Sequence, residues 1–198
     1  MSDESGRRIV LLLGGVRSGK SRYAQELALR GQHVAFLATA EAGDDEMRLR
    51  IERHRSERPA NWTTFEVPIA IEDALQQCGG QFDTVLIDCL TVWTANLMEH
   101  YGQDPDLVLA HADRLAGLLR RTAATVILVS NEVGSGVHPL TASGRVYCDI
   151  LSELNQRVAS LADNVILMVA GIPVPVKGKV PAVLQPDLQM NELLGAAR

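Results

Sequence analysis

Gly14-Gly15-Val16-Arg17-Ser18-Gly19-Lys20-Ser21 follows directly on the apolar run Ile9-Val10-Leu11-Leu12-Leu13. This is the pattern G-x-x-x-x-G-K-[ST] in the context it requires, a buried strand before it and a helix after it. Gly14 and Gly19 let the backbone bend so that successive N–H groups point into one concavity, which suits phosphate oxygens. The positive N-terminal end of the following helix adds to that field. Lys20 supplies a point charge for the β- and γ-phosphates, and the Ser21 hydroxyl is placed to hold Mg²⁺. The stretch reads as a nucleoside triphosphate site.

Outward from this loop the chain alternates strand and helix. Strands are predicted at Arg8–Leu13, His33–Ala38, Trp62–Val67, Thr84–Asp88, Ala124–Ser130 and Asn164–Ala170, with a short further one at Val174–Lys177. Helices are predicted at Gly19–Arg30, Asp44–Arg55, Ile69–Gln77, Thr91–His100, Asp106–Thr122 and Arg145–Ala162. In the last of these Val146, Ile150, Leu154, Val158 and Leu161 share one face. Near-continuous apolar strands alternating with helices imply an α/β fold, a mainly parallel sheet covered on both faces. The expected organisation is a single P-loop nucleotide-binding domain over residues 1–198, with a core at about 8–177 and a loosely packed tail at 178–198.

Composition narrows the function classes. A hydrophobic share of 46% and a charged share of 22% suit a soluble globular chain. The net charge of −5 argues against a surface that coats nucleic acid. No apolar stretch reaches the ~18 residues of a membrane span. Met1–Arg8 is polar and runs straight into the first strand, so no signal peptide is expected. Cys78, Cys89 and Cys148 form no metal spacing and suit a reducing compartment, with a cytoplasmic location expected.

Two further segments carry chemistry. Val85-Leu86-Ile87-Asp88 is an apolar strand ending in a carboxylate, so Asp88 is placed to reach Mg²⁺ beside Ser21. In Asp44–Arg55, Met47, Ile51 and His54 fall on one helical face, among arginines at 48, 50, 53, 55 and 58. A histidine so placed is either a packed residue or a functional one. The arginines suit phosphates, or else form a solvated face with Glu–Arg pairs.

The loop version Gly-Gly-Val-Arg-Ser-Gly-Lys-Ser resembles that of the bifunctional adenosylcobinamide kinase / adenosylcobinamide-phosphate guanylyltransferases of cobalamin biosynthesis. Further segments agree in order: Ala38-Thr39-Ala40, Asp44-Asp45-Glu46-Met47, Arg50-Ile51 with His54-Arg55 and Arg58-Pro59, and Trp62-Thr63-Thr64 with Glu66. Asp88-Cys89-Leu90-Thr91, Asn96-Leu97, Asn131-Glu132-Val133-Gly134, Gly144-Arg145, Asn155-Gln156 and Ala170-Gly171-Ile172-Pro173 follow. The resemblance covers roughly residues 8 to 177.

What it implies is a RecA-like P-loop NTPase sheet and a homotrimer with sites at subunit boundaries. The implied nucleotide site comprises Gly14, Gly15, Val16, Arg17, Ser18, Gly19, Lys20 and Ser21, then Thr39, Ala40 and Glu41, then Arg55, Ser56, Glu57 and Arg58, with Glu66 and Asp88. His54 is implied as the guanylylated nucleophile, and Lys20 as the catalytic cation that offsets charge developing in phosphoryl transfer. The implied cofactors are GTP, ATP and Mg²⁺, the last held by Ser21 and Asp88. The implied substrates are adenosylcobinamide and adenosylcobinamide phosphate. The loop Asn131–Arg145 is expected to contact the corrinoid or close over it, because it leaves the C-terminal edge of a central strand and carries Gly134, Gly136 and Gly144 with the polar groups of Asn131, Glu132 and Arg145. Two other functions fit the P-loop: a simple small-molecule kinase in which His54 is structural, and a GTP-dependent switch. Against the switch, the chain has no Asn/Thr-Lys-x-Asp guanine-reading motif.

Overall fold

Stacked apolar side chains at successive positions need cover on both sides of a strand, and the computed structural model supplies it. It describes residues 7–41, 43, 48–49, 52, 55, 58–136 and 138–180. Strands β1 (Ile9–Gly14), β2 (Val34–Ala38), β3 (Thr63–Glu66), β4 (Thr84–Asp88), β5 (Thr125–Val129), β6 (Asn164–Val169) and β7 (Ile172–Lys177) form one sheet. Their order is β3-β2-β4-β5-β1-β6-β7. All neighbours are parallel except β7, which runs antiparallel to β6.

Helices α1 (Lys20–Ala28), α2 (Ile71–Cys78), α3 (Leu90–His100), α4 (Pro105–Leu119) and α5 (Ala142–Leu161) cover the sheet. Alternate residues of the central strands enter two cores. Leu11, Leu37, Ile87 and Leu128 pack with Leu75, Trp93, Leu115 and Leu154 from α2, α3, α4 and α5. Leu12, Phe36, Leu86 and Val129 pack with Tyr23, Ala24 and Leu27 from α1. Each fully buried Leu or Ile contributes roughly 1.5–3 kcal/mol relative to exposure. Trp93 is fully buried, and its indole N–H donates to Ile69 O at 2.6 Å.

Several boundaries depart from the sequence expectations for local reasons. Helix α5 begins three residues before Arg145, because the Thr141 hydroxyl accepts the Gly144 N–H at 3.1 Å and caps the helix. Helix α4 opens at Pro105, capped by Asp104 Oδ1, which accepts the N–H groups of Asp106 and Leu107. Strand β7 is longer than expected, starting at Ile172. Of the three cysteines only Cys78 is buried; Cys89 and Cys148 are half-buried. In the segment 44–55, Arg48, Leu49, Glu52 and Arg55 are described and helical. The tail 181–198 lies outside the described residues.

Candidate active site

Strand β1 ends in a loop that only glycine can start. Gly14 has φ +147°, and a Cβ there would lie 2.5 Å from Met168 O and 2.8 Å from Ser18 Oγ. Gly19, with φ 94°, forms the turn into α1. Arg17 also lies in the left-handed region, at φ 57°. The loop is braced from outside by Gly171, whose N–H donates to Ser18 O at 3.0 Å. Gly171 belongs to the two-residue turn between β6 and β7, where Ala170 has φ 50° and Gly171 φ 83°.

Lys20 is buried at the base of this loop. Its ammonium donates to Gly14 O at 2.9 Å and to Gly15 O at 2.6 Å. The charge is thus held against the loop, close to where its amides converge. Ser18 is buried as well, and its Oγ lacks a partner among the described residues, a polar group inside the loop with bonding capacity to spend. One helical position after Lys20, Ser21 Oγ donates to Asp88 Oδ1 at 3.3 Å. Asp88 ends β4, two strands from β1, as an apolar strand closing on a carboxylate predicts. A hydroxyl and a carboxylate are hard oxygen donors, the set that suits Mg²⁺ bound jointly with phosphate oxygens.

The residues after β2 are tied to β4. Thr39 is fully buried; its hydroxyl accepts the Cys89 N–H and donates to Cys89 O, both at 2.8 Å. Asn96 Nδ2 donates to Thr39 O at 2.8 Å and to Pro68 O at 3.0 Å, holding the exits of β2 and β3 together. Ala40 is half-buried and Glu41 exposed on the same rim. Burial raises the Cys89 thiol to about 11, and the nearby Asp88 charge adds to the rise, so this sulfur stays protonated at neutral pH.

Arginine chemistry enters from the segment before β3. Arg55 pairs with Glu66 at the end of β3. The Arg58 guanidinium stands 3.7 Å from the Phe36 ring centroid, and its Nη1 donates to Thr64 Oγ1 at 3.4 Å. Arg58 Nε is buried with no partner among the described residues. Burial lowers Arg58 below its ordinary value and Asp88 works against that, so the two charges share one field across the rim. His54, Ser56 and Glu57 lie outside the described residues.

The loop after β5, expected to meet the corrinoid, starts on this same rim. The carboxyl end of β5 lies between those of β1 and β4. There Asn131 N–H donates to Thr91 Oγ1 at 2.7 Å, Asn131 O accepts from Asn155 Nδ2 at 3.0 Å, and Tyr147 OH donates to Thr91 O at 3.1 Å. Glu132 N–H donates to Gly14 O at 3.2 Å. Only the strand order reveals this adjacency; the register of parallel strands is not written in local sequence.

A parallel sheet with a glycine-rich loop and buried lysine after β1, and an aspartate closing β4 beside the helix-borne serine, defines a P-loop nucleotide-binding protein. An ATPase from the type III secretion system of pathogenic bacteria is similar in fold, with a TM-score of 0.53 and 12% identity over 95% of this chain and 63% of that one. Residues 10–176 match the family model described as cobinamide kinase / cobinamide phosphate guanyltransferase, and the chain belongs to that family. It is 43% identical over 170 residues to the bifunctional adenosylcobalamin biosynthesis protein CobP of Pseudomonas aeruginosa, covering 85% of this chain and 97% of that protein. To the bifunctional adenosylcobalamin biosynthesis protein CobU of Escherichia coli it is 37% identical over 180 residues, covering 85% and 99%. The CobU of Salmonella typhimurium matches to the same extent. No helix among the described residues is long and apolar enough to cross a membrane.

Proposed function

We propose that this chain is a bifunctional enzyme of cobalamin biosynthesis. It phosphorylates adenosylcobinamide with a nucleoside triphosphate, then transfers GMP from GTP to the resulting phosphate through a guanylyl-histidine. The observation that carries the reading is the P-loop geometry, with Lys20 against Gly14 and Gly15 and Ser21 against Asp88, in a chain of this family.

In the first step the loop amides and Lys20 bind the triphosphate and offset charge that develops on the transferring phosphoryl group. Ser21 and Asp88 would hold Mg²⁺, which neutralises phosphate charge when bound. The substrate hydroxyl oxygen forms a bond to the γ-phosphorus, and the bond to the β-phosphate oxygen breaks. A nucleoside diphosphate leaves.

In the second step a neutral imidazole nitrogen of His54 attacks the α-phosphorus of GTP and pyrophosphate leaves. An imidazole with the ordinary value near ~6.5 is largely neutral at pH 7 and therefore nucleophilic. A phosphate oxygen of adenosylcobinamide phosphate then attacks the same phosphorus, breaking the P–N bond and releasing His54. Arg55 and Arg58 supply cationic charge for these phosphate oxygens. Support comes from the far end of the segment bearing His54: Arg58 is half-buried on Phe36, with its Nε unpartnered among the described residues and its charge coupled to Asp88.

We also infer that residues 8–177 act as one nucleotide-binding unit, that GTP serves both steps with ATP an additional phosphoryl donor, and that the enzyme is a cytoplasmic homotrimer. Incubation with adenosylcobinamide and GTP labelled separately at the α- and γ-phosphates tests the reading. It requires γ-label in adenosylcobinamide phosphate and both α- and γ-derived label in the final product. Transfer of γ-label alone would reduce the chain to a simple kinase.

A further inference from the structure

We propose that Glu132 is the general base of the phosphoryl-transfer step, taking the proton of the attacking cobinamide hydroxyl. The inference rests on the kinase reading above and adds to it a residue that binds neither the nucleotide nor the metal.

The argument is one of position on the sheet. Strand β5 separates β1 from β4, and Val129 pairs with Leu12 on one side and Asp88 on the other. Three residues past Val129, Glu132 N–H donates to Gly14 O. That same carbonyl accepts from Lys20 Nζ, so one oxygen fixes both the phosphate-binding cation and the backbone of Glu132. Neighbouring strands lie about 4.8 Å apart, which puts Glu132 one strand step from the P-loop.

The other carboxylates on this rim are farther away or engaged. Glu66 ends β3, four strand steps from β1, and pairs with Arg55. Glu41 follows β2, three steps away. Asp88 takes the Ser21 hydroxyl on the metal side. The residue after Asp88 is a cysteine, so β4 brings no second carboxylate.

Glu132 is also held in place. Its Oε1 accepts the Gly134 N–H at 3.0 Å, and a carboxylate retains acceptor capacity for a substrate hydroxyl. The backbone leading to it is fixed through Asn131 by Thr91 and Asn155. It is exposed at the rim, where a large substrate can reach it.

The step balances as follows. The substrate O–H bond breaks and its proton goes to the Glu132 carboxylate. The oxygen bonds to the γ-phosphorus, and the electron pair of the breaking P–O bond leaves with the nucleoside diphosphate. Glu132 then returns the proton to water. The transfer of GMP to a phosphate needs no such base, because that nucleophile is already an anion.

The two half-reactions separate the claim. Glu132→Gln keeps an oxygen to accept the Gly134 N–H and loses only basicity. In the full-length enzyme we expect kcat for phosphorylation of adenosylcobinamide to fall by about 10²-fold or more, with KM for both substrates within about threefold. The ratio of kinase to guanylyl-transfer rate, the latter measured on supplied adenosylcobinamide phosphate, falls to the same degree. Glu132→Asp recovers part of the rate. A kinase kcat within threefold of wild type, or an equal fall in both half-reactions, would overturn the assignment. A wild-type enzyme that does not phosphorylate adenosylcobinamide would instead overturn the kinase reading, before any variant is made.

Discussion

Gly171 donates its N–H to the carbonyl of Ser18 at 3.0 Å, so the turn between β6 and β7 braces the phosphate-binding loop. Both turn residues have positive φ, at 50° for Ala170 and 83° for Gly171. Two-residue hairpin turns of this kind favour Asn-Gly, and alanine is strained in the first position. Ala170→Asn should therefore stabilise the protein by about 0.5–1 kcal/mol, raising Tm by about 1–4 °C. Differential scanning calorimetry checks this; a lower Tm would show that the turn is set by something other than its own backbone preference.

Lys20 carries the charge of the P-loop from a buried position, donating to Gly14 O and Gly15 O. Charge-assisted bonds contribute about 1.5–3 kcal/mol each. Lys20→Ala should raise the GTP dissociation constant by at least about tenfold, equivalent to about 1.4 kcal/mol, and suppress both activities together. Isothermal titration calorimetry gives the affinity. Retention of GTP affinity within a factor of two would contradict a shared triphosphate site.

Asp88 faces the Ser21 hydroxyl at 3.3 Å. Asp88→Asn removes its negative charge but keeps its size. The Mg²⁺ concentration for half-maximal turnover should rise by about 10-fold or more, with metal-free GTP affinity within about threefold. Activity titrations against Mg²⁺ decide the matter; unchanged metal dependence would leave Asp88 as a structural strand end.

Cys89 gives a dependence on alkaline pH. Burial holds its thiol near 11 in the folded chain, above the reference value of 9.0. Between those values the folded state keeps a proton that the unfolded state loses, so stability falls as pH rises from about 9 to 11. Urea unfolding at pH 8 and pH 10.5 should show that loss, and Cys89→Ala should reduce it. An identical pH difference in the variant would assign the effect to other groups, such as Tyr147, which burial also raises.

Much of this site is legible in the chain. The loop Gly14–Ser21 announces itself because glycine, lysine and serine at fixed spacing have few other uses after a buried strand. Asp88 is readable because it closes an apolar run, and the parallel sheet because its strands are apolar on both faces. The loop carrying Glu132 reads as lying at the carboxyl edge of the sheet, but the bond of Glu132 to Gly14 and the bracing of the P-loop by Gly171 were not readable. Both depend on which strands become neighbours, and β5 joins β1 although α2, α3 and α4 separate them along the chain. Helix α5 starts early for a different reason: Gly144 reads as a loop residue until Thr141 is seen to cap it. Thr39, read as a nucleotide contact, also serves the scaffold by pinning β2 to the backbone of Cys89.

The most direct test of the central claim is intact-mass spectrometry of the purified enzyme after incubation with GTP and Mg²⁺, without corrinoid, followed by peptide mapping. A single GMP adduct on His54 is expected, released by adenosylcobinamide phosphate and absent from His54→Asn, which keeps measurable kinase activity. No adduct under these conditions, or an adduct that persists in His54→Asn, would contradict guanylyl transfer through this histidine.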